Sequence, residues 1–237
     1  MGWLRYLAEV FFPPACRLCR RSGEFPICRN CTAEFRLISP PVCRTCGRPL
    51  RRADSTGPCG MCRIRSPAFC RARAAGIYEG ALRDAIHALK FSGCRAIAAP
   101  LGDLVASAAQ AGELHADAVV PVPLHPSRLR YRGFNQAELL GRRVACALGL
   151  PCEVGVLRRT HRTEAQSRLA RETRLTNVRD VFTCAGALSG AKVLVVDDVM
   201  STGATASACA HALLAADAKE VLVATVAAAI LRLGTAE

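Results

Sequence analysis

Val193-Leu194-Val195-Val196-Asp197-Asp198-Val199-Met200-Ser201-Thr202-Gly203-Ala204-Thr205 decides how the chain is read. Its first four residues are apolar without alternation, the pattern of a strand covered on both faces in the middle of a parallel sheet. Two carboxylates follow at the carboxyl end, where open α/β sheets place ligands. Ser201 to Thr205 then offer backbone N–H groups and hydroxyls at the start of an alanine-rich helix, and Gly203 lets a phosphate approach the main chain. Acids suit sugar hydroxyls and N–H groups suit a phosphate, so the stretch reads as a sugar-phosphate site. The competing reading is a buried strand whose Asp and Ser/Thr residues only cap the next helix. A lone Asp pair would favour that reading; a whole stretch of thirteen residues in pattern does not.

The same residues resemble the phosphoribosyl pyrophosphate (PRPP) motif of type I phosphoribosyltransferases: four apolar residues, two acids, then a short Thr/Ser-Gly-rich loop ending in Thr. The resemblance implies that Asp197 and Asp198 hold the ribose hydroxyls at the catalytic centre. It implies that Val199, Met200, Ser201, Thr202, Gly203, Ala204 and Thr205 form the PRPP-binding loop around the 5'-phosphate. The fold expected is α/β, a type I phosphoribosyltransferase-like doubly wound parallel sheet preceded by a small Cys-rich zinc-ribbon domain. Mg²⁺ would accompany PRPP, bridging pyrophosphate and ribose hydroxyls while keeping many waters and few protein ligands.

At 237 residues the chain can hold one sizeable core and a small module. We expect residues 1–69 to form an N-terminal helix and double zinc ribbon, and residues 70–237 the phosphoribosyltransferase-like domain. Apolar residues make up 51% and aromatics only 5%, so the packing must rely on Ala, Leu and Val. The formal charge of +13 is carried almost wholly by arginine, with lysine only at 90, 192 and 219. Met1 to Phe12 is apolar but contains Glu9 and leads into Pro13-Pro14-Ala15-Cys16, which lacks the cleavage pattern of a signal peptide. It reads as a short amphipathic helix with Trp3, Leu4, Leu7, Val10 and Phe11 on one side. The apolar run from Val221 to Leu233 is shorter than the roughly 20 residues of a membrane span. A cytoplasmic protein with no membrane span is the expectation.

Eight of the fourteen cysteines form four Cys-x-x-Cys pairs: Cys16/Cys19, Cys28/Cys31, Cys43/Cys46 and Cys59/Cys62. Tetrahedral zinc takes four thiolates, and a two-residue gap lets one tight turn present two of them to one metal. A disulfide framework suits a secreted mini-protein, and no export signal is seen. A thioredoxin-like site needs one such pair at a helix start rather than four. Two structural Zn²⁺ sites follow, whether the first and last four cysteines form separate sites or the pairs interleave. Arginines 17, 20, 21, 29, 44, 48, 51, 52, 63 and 65 are interspersed with Phe25, Phe35 and Phe69. They form either a track for single-stranded nucleic acid, by phosphate contact and base stacking, or a solvated shell over a small aromatic core. The lone cysteines 70, 94, 146, 152, 184 and 209 read as small core residues.

Strands are expected over 70–78, 116–120, 153–157 and 220–227, and helices over 81–90, 95–111 and 205–216. In the first helix Leu82, Ile86 and Leu89 share one face, leaving Arg83, His87 and Lys90 on others. Pro121-Val-Pro-Leu-His-Pro-Ser-Arg128 reads as a rigid extended loop leading to Arg130 and Arg132. Arg128 and Arg132 in a second crevice loop suit a pyrophosphate. Pro-Val-Pro-Leu-His, then Arg-Gly-Phe-Asn-Gln at 132–136, then Gln166…Arg174…Asn177, after a cysteine-rich front, look like the ComF family associated with natural competence. Met200-Ser201 departs slightly from that family's frequent aliphatic-Thr pair.

The arginine-rich stretch 158–177 corresponds by resemblance to a flap over the reacting centre, which makes Gln166, Arg168 and Arg174 candidates for pyrophosphate or ordering contacts. The resemblance implies Mg-dependent phosphoribosyl transfer from PRPP to an unknown acceptor, in DNA uptake. The alternative is a non-catalytic PRPP-responsive competence factor whose partners are single-stranded DNA and DNA-uptake proteins.

Overall fold

The structure is a computed structural model and describes residues 14–50, 57–159 and 181–230. The expected N-terminal helix lies outside these residues. Its centre is a four-stranded, all-parallel sheet in the order β1-β6-β5-β2, formed by β1 (Arg71–Ile77), β2 (Ala118–Pro121), β5 (Lys192–Met200) and β6 (Glu220–Ala228). Val193 to Val196 are completely buried, as the unalternating run predicts. Val193 and Val195 join a core with α7 (Ala204–Ala215), whereas Leu194 and Val196 join one with α3 (Gly80–Phe91), α4 (Ala98–Ala111) and α6 (Gln136–Leu148). Helices therefore cover both faces, the doubly wound arrangement.

The switch point sits between β5 and β2. The chain leaving β5 crosses through α7 towards β6, whereas the chain leaving β2 passes through α6 and pairs at Cys152 on β2's far side. β2 ends against Val196, while β5 and β6 stay paired to Met200 and Ala228. Beyond Val196, then, β5 has lost one neighbour and a crevice opens beside the two acids.

Three sequence expectations change. The segment after β2 is not extended throughout: Pro126–Arg132 forms helix α5, with His125 as its N-cap and Pro126 in its first turn. Proline lacks only an N–H that has no helical partner there, so it starts a helix as readily as it prevents one. The strand expected over 153–157 is a single bridge at Cys152, a turn, and then β3 (Leu157–Arg159) paired antiparallel with β4 (Phe182–Cys184). Of the lone cysteines, only Cys94 and Cys209 are buried; Cys70 and Cys146 are exposed.

The cysteine-rich front has two similar halves. Each pairs a hairpin knuckle with a short helix capped by the third cysteine: bridges Ala15↔Ser22 and Val42↔Pro49 close the knuckles, and α1 (Arg29–Ala33) and α2 (Gly60–Ile64) follow Cys28 and Cys59. The linker between the halves lies along the free edge of β1, where Ile77 N–H donates to Arg36 O and Ile38 N–H to Ala75 O. That covers an edge that would otherwise be open to pairing. The second knuckle also presses on β1: Ala72 N–H donates to Thr45 O, and a side chain at Gly47 (φ +68°) would meet Ala72 O at 2.5 Å. Cys43, Cys46 and Cys62 consequently share a core with Phe69, Ala72 and Met200.

Candidate functional site

The strand pleat sends Asp197 and Asp198 to opposite faces of β5. Asp198 is buried on the α3/α6 side, where Lys90 Nζ at the end of α3 stands 2.6 Å from its Oδ1. Gln136 Nε2 donates to its other oxygen at 2.6 Å, and Gln136 Oε1 accepts in turn from Arg132. Gln136 is in place because Gly133, at φ +76°, ends α5 and Asn135 caps α6, accepting from Ala137 N–H and donating to Val122 O. Arg132 also lies over the exposed Phe91 ring, 5.3 Å from its centroid. The result is a cation–amide–carboxylate network reaching from solvent to the sheet.

Asp197 faces the α7 side. Its Oδ1 accepts from Asp198 N–H at 2.8 Å, and it lies beside Thr225 of β6. Burial, and then the Asp198 carboxylate next to it, push its pKa up to about 8 against the attraction of Lys90 and Arg159. The two acids thus differ in character: one is ion-paired, the other holds its proton near neutrality. Together with Val199 to Thr205, Asp197 lines a hollow of about 40 Å³, little more than one water's share of space. Gly203, at φ +81°, turns the chain into α7 in a conformation that favours glycine. Thr202 Oγ1 accepts from Ala204 N–H at 3.3 Å, and Ser201 O accepts from Arg48 of the second knuckle. An incoming anion has to displace the threonine hydroxyl to reach the Ala204 N–H.

Asp197, Asp198, Val199 to Thr205 and Arg132 therefore meet around one strand end. Arg128 is exposed on α5; burial makes Arg132 less basic, and the charge of Arg128 adds to this against the attraction of Asp198. Gln166, Arg168 and Arg174 lie outside the described residues. Lys90 and Gln136 have no role in the sequence reading, which sets Lys90 on a helix face away from the core. The available signal was compositional, a lysine kept at the crevice in a chain that otherwise carries arginine. His87, expected on the surface, is exposed; its Nε2 lies 2.9 Å from the Tyr78 hydroxyl and its ring packs on Phe91.

The cysteines settle into two separate sets, Cys16/Cys19/Cys28/Cys31 and Cys43/Cys46/Cys59/Cys62, with all four sulfurs of each within 4.8 Å of one another. The pairs do not interleave. Burial opposes ionisation of Cys16 and Cys43, but N–H groups outweigh it, from Cys19, Cys28 and Leu18 on the first and from Cys46, Cys59 and Thr45 on the second. They lower the two thiols to about 6 and about 7. Burial raises Cys31, Cys46 and Cys62. A four-sulfur nest with preformed N–H···S donors suits a thiophilic divalent cation, and zinc would supply the charge that lets all four thiolates ionise together.

Comparison with known proteins agrees with this architecture. Residues 7–63 match the family described as Double zinc ribbon domain and residues 132–232 the Phosphoribosyl transferase domain. The chain is a phosphoribosyltransferase-type domain behind a structural double zinc ribbon. It is 32% identical over 214 residues to DNA utilization protein YhgH of Escherichia coli K12, spanning 85% of this chain and 91% of that one. Competence protein F of Haemophilus influenzae is 28% identical over 199 residues, 80% of each chain, and Competence protein ComFC of Bacillus subtilis 28% over 192 residues, 79% and 78%. The chain belongs to the ComF family. Among the described residues no helix is long and apolar enough to cross a membrane.

Proposed function

We propose that the crevice between β5 and β2 binds PRPP with Mg²⁺ and transfers its phosphoribosyl group to an acceptor, in a role connected with DNA uptake. The observation that carries this is the pair of carboxylates at the switch point, with the Ser201–Thr205 turn behind them at the start of α7. Asp197 and Asp198 would take the ribose hydroxyls, the Ser201–Thr205 N–H groups the 5'-phosphate, and Arg132 and Arg128 the pyrophosphate. Mg²⁺ would neutralise the leaving pyrophosphate, as the C1–O bond breaks and the acceptor forms the new bond to C1. The chain's own contribution is positioning and charge, since this chemistry needs no protein nucleophile. The competence and DNA-utilisation names of the relatives support the biological setting. Residues 1–69 would act as the zinc-ribbon unit and 70–237 as the transfer unit.

Titration calorimetry of PRPP with and without Mg²⁺, for the wild type and Asp197→Asn, tests binding. Pyrophosphate release tests turnover. Magnesium-dependent binding lost in Asp197→Asn supports the reading; heat-silent mixing with both proteins removes it. A second reading is favoured by the exposed arginines 17, 20, 21, 29, 44, 63 and 65 on the ribbons and by the Arg48 contact with the phosphate turn. On that reading PRPP is a signal and single-stranded DNA the bound partner. Binding of both without pyrophosphate release selects it.

A further inference from the structure

A cleft of about 400 Å³ separates the second zinc ribbon from the start of α7, on the side of the phosphate turn away from Asp198. Its volume falls in the range of sites for small organic ligands, roughly 300–1,000 Å³. Met61, 43% exposed, and the half-buried Pro67 give it an apolar wall above a floor closed by the buried Phe69 and Met200, and a thioether packs well against a flat π-system. Arg48, Arg65 and His211 line it as well, and among the described residues no acidic side chain does. Ser66 and Ser207 add hydroxyls, the latter already accepting from Ala68 N–H at 3.0 Å. The occupant this chemistry selects is planar and aromatic on one part and anionic on another.

We propose that this cleft is a nucleotide site, taking one nucleobase against Met61 and Pro67 and its phosphate between Arg48, Arg65 and His211. A simple apolar ligand would leave the arginines unanswered, and a small inorganic anion would leave the Met61 wall uncovered. A nucleotide unit satisfies both, whether it arrives as a free mononucleotide or as one residue of a single strand. The site is separate from the PRPP crevice, although the two share the backbone of Ser201 to Ala204 as a common wall. It is also a property of the docked arrangement. Met61 and Arg65 come from the second ribbon and Met200 and His211 from the sheet and α7, so neither part forms the cleft alone.

The test is calorimetric titration of the zinc-loaded full chain with AMP, with UMP and with a short single-stranded oligonucleotide. Each ligand is repeated on Arg65→Glu and on Met61→Glu, substitutions at exposed wall positions outside the core. Arg83→Glu, at an exposed arginine of α3 outside both ribbons, makes the same charge change at a distance. We expect saturable binding that weakens at least about tenfold in both cleft variants, as loss of a charge-assisted contact or of base packing does, and less than about twofold in Arg83→Glu. Mononucleotide binding with this pattern assigns the free ligand. Oligonucleotide binding alone, with the same pattern, assigns a strand residue. Absence of binding by all three ligands, or binding equally weakened by Arg83→Glu, overturns the proposal. PRPP titration of Arg65→Glu, expected to match wild type, keeps a failure here separate from a failure of the PRPP reading.

Discussion

Lys90 ends α3 with its ammonium 2.6 Å from Asp198, the two side chains being 18% and 6% exposed. Little water screens such a pair, and removing one partner leaves a buried charge with reduced compensation, at a cost of about 3–5 kcal/mol. Gln136 still donates to Asp198, so Lys90→Met should lose about 3 kcal/mol in chemical denaturation. Lys90→Met combined with Asp198→Asn should recover more than half of that loss; additive losses in the double-mutant cycle would show that the pair is not coupled. Asp197 behaves differently. Its folded pKa, raised to about 8 by burial and by Asp198, stands above the unfolded value near 4. Between those limits the folded chain binds more protons, so this carboxyl's contribution to stability is lost as pH rises from about 4 to about 8. With zinc saturating, the wild-type thermal midpoint should fall by a few degrees between about pH 6.5 and pH 8.5. Asp197→Asn should flatten that decline, and an unchanged decline would place the titrating group elsewhere.

At the scale of elements, what could be read from the sequence was whatever depends on local pattern. Val193 to Val196 announces a doubly covered strand by lacking polar residues, and Leu82, Ile86 and Leu89 announce a buried helix face by their spacing; both are found fully buried. Helix α5 was hidden because proline at N1 and proline in an extended loop look alike until the Gly133 stop and the His125 cap are seen in space. Lys90 was hidden for a different reason: helical periodicity separates core from non-core faces, but not solvent from a crevice built by β5 and α6. The zinc clusters carry an element-scale contrast of the same origin. Identical Cys-x-x-Cys spacing gives two similar folds, yet the first cluster packs chiefly with Leu18 and Ile27, whereas the second is built into the core of β1, β5 and α7. Cys46→Ser should therefore lower the main calorimetric transition and weaken PRPP binding, while Cys31→Ser should leave PRPP affinity within about twofold. Equal effects of the two substitutions would mean that the docking of the second ribbon contributes nothing to the crevice.

Across the whole molecule, the long-range contacts that join ribbon to sheet had no sequence signature: Arg48 to Ser201, Thr45 to Ala72 and Arg36 to Ile77 link residues whose proximity only the fold creates. The charge was legible from composition, and the fold gives it direction. Eight thiolates on two Zn²⁺ ions lower the formal +13 to roughly +9, so the chain remains basic with both sites filled. Phe35 and Phe69 are buried in the core, which leaves Phe25, half-exposed beneath Arg17, as the described ribbon phenylalanine open to a base. A strand held on this surface would owe most of its affinity to phosphate contacts and little to stacking. Binding should then fall steeply with salt, because each neutralised phosphate of a single strand contributes about 0.7 to the slope of log K against log salt. Contact with about four phosphates predicts a loss of about fiftyfold between 50 and 200 mM salt. Arg20→Ala with Arg21→Ala should reduce the slope by about one to two units and weaken all sequences alike, as measured by fluorescence anisotropy with mixed-sequence single strands. A flat salt response would instead assign the excess charge to solubility or to the PRPP crevice, and would remove single-stranded DNA as a partner of this surface.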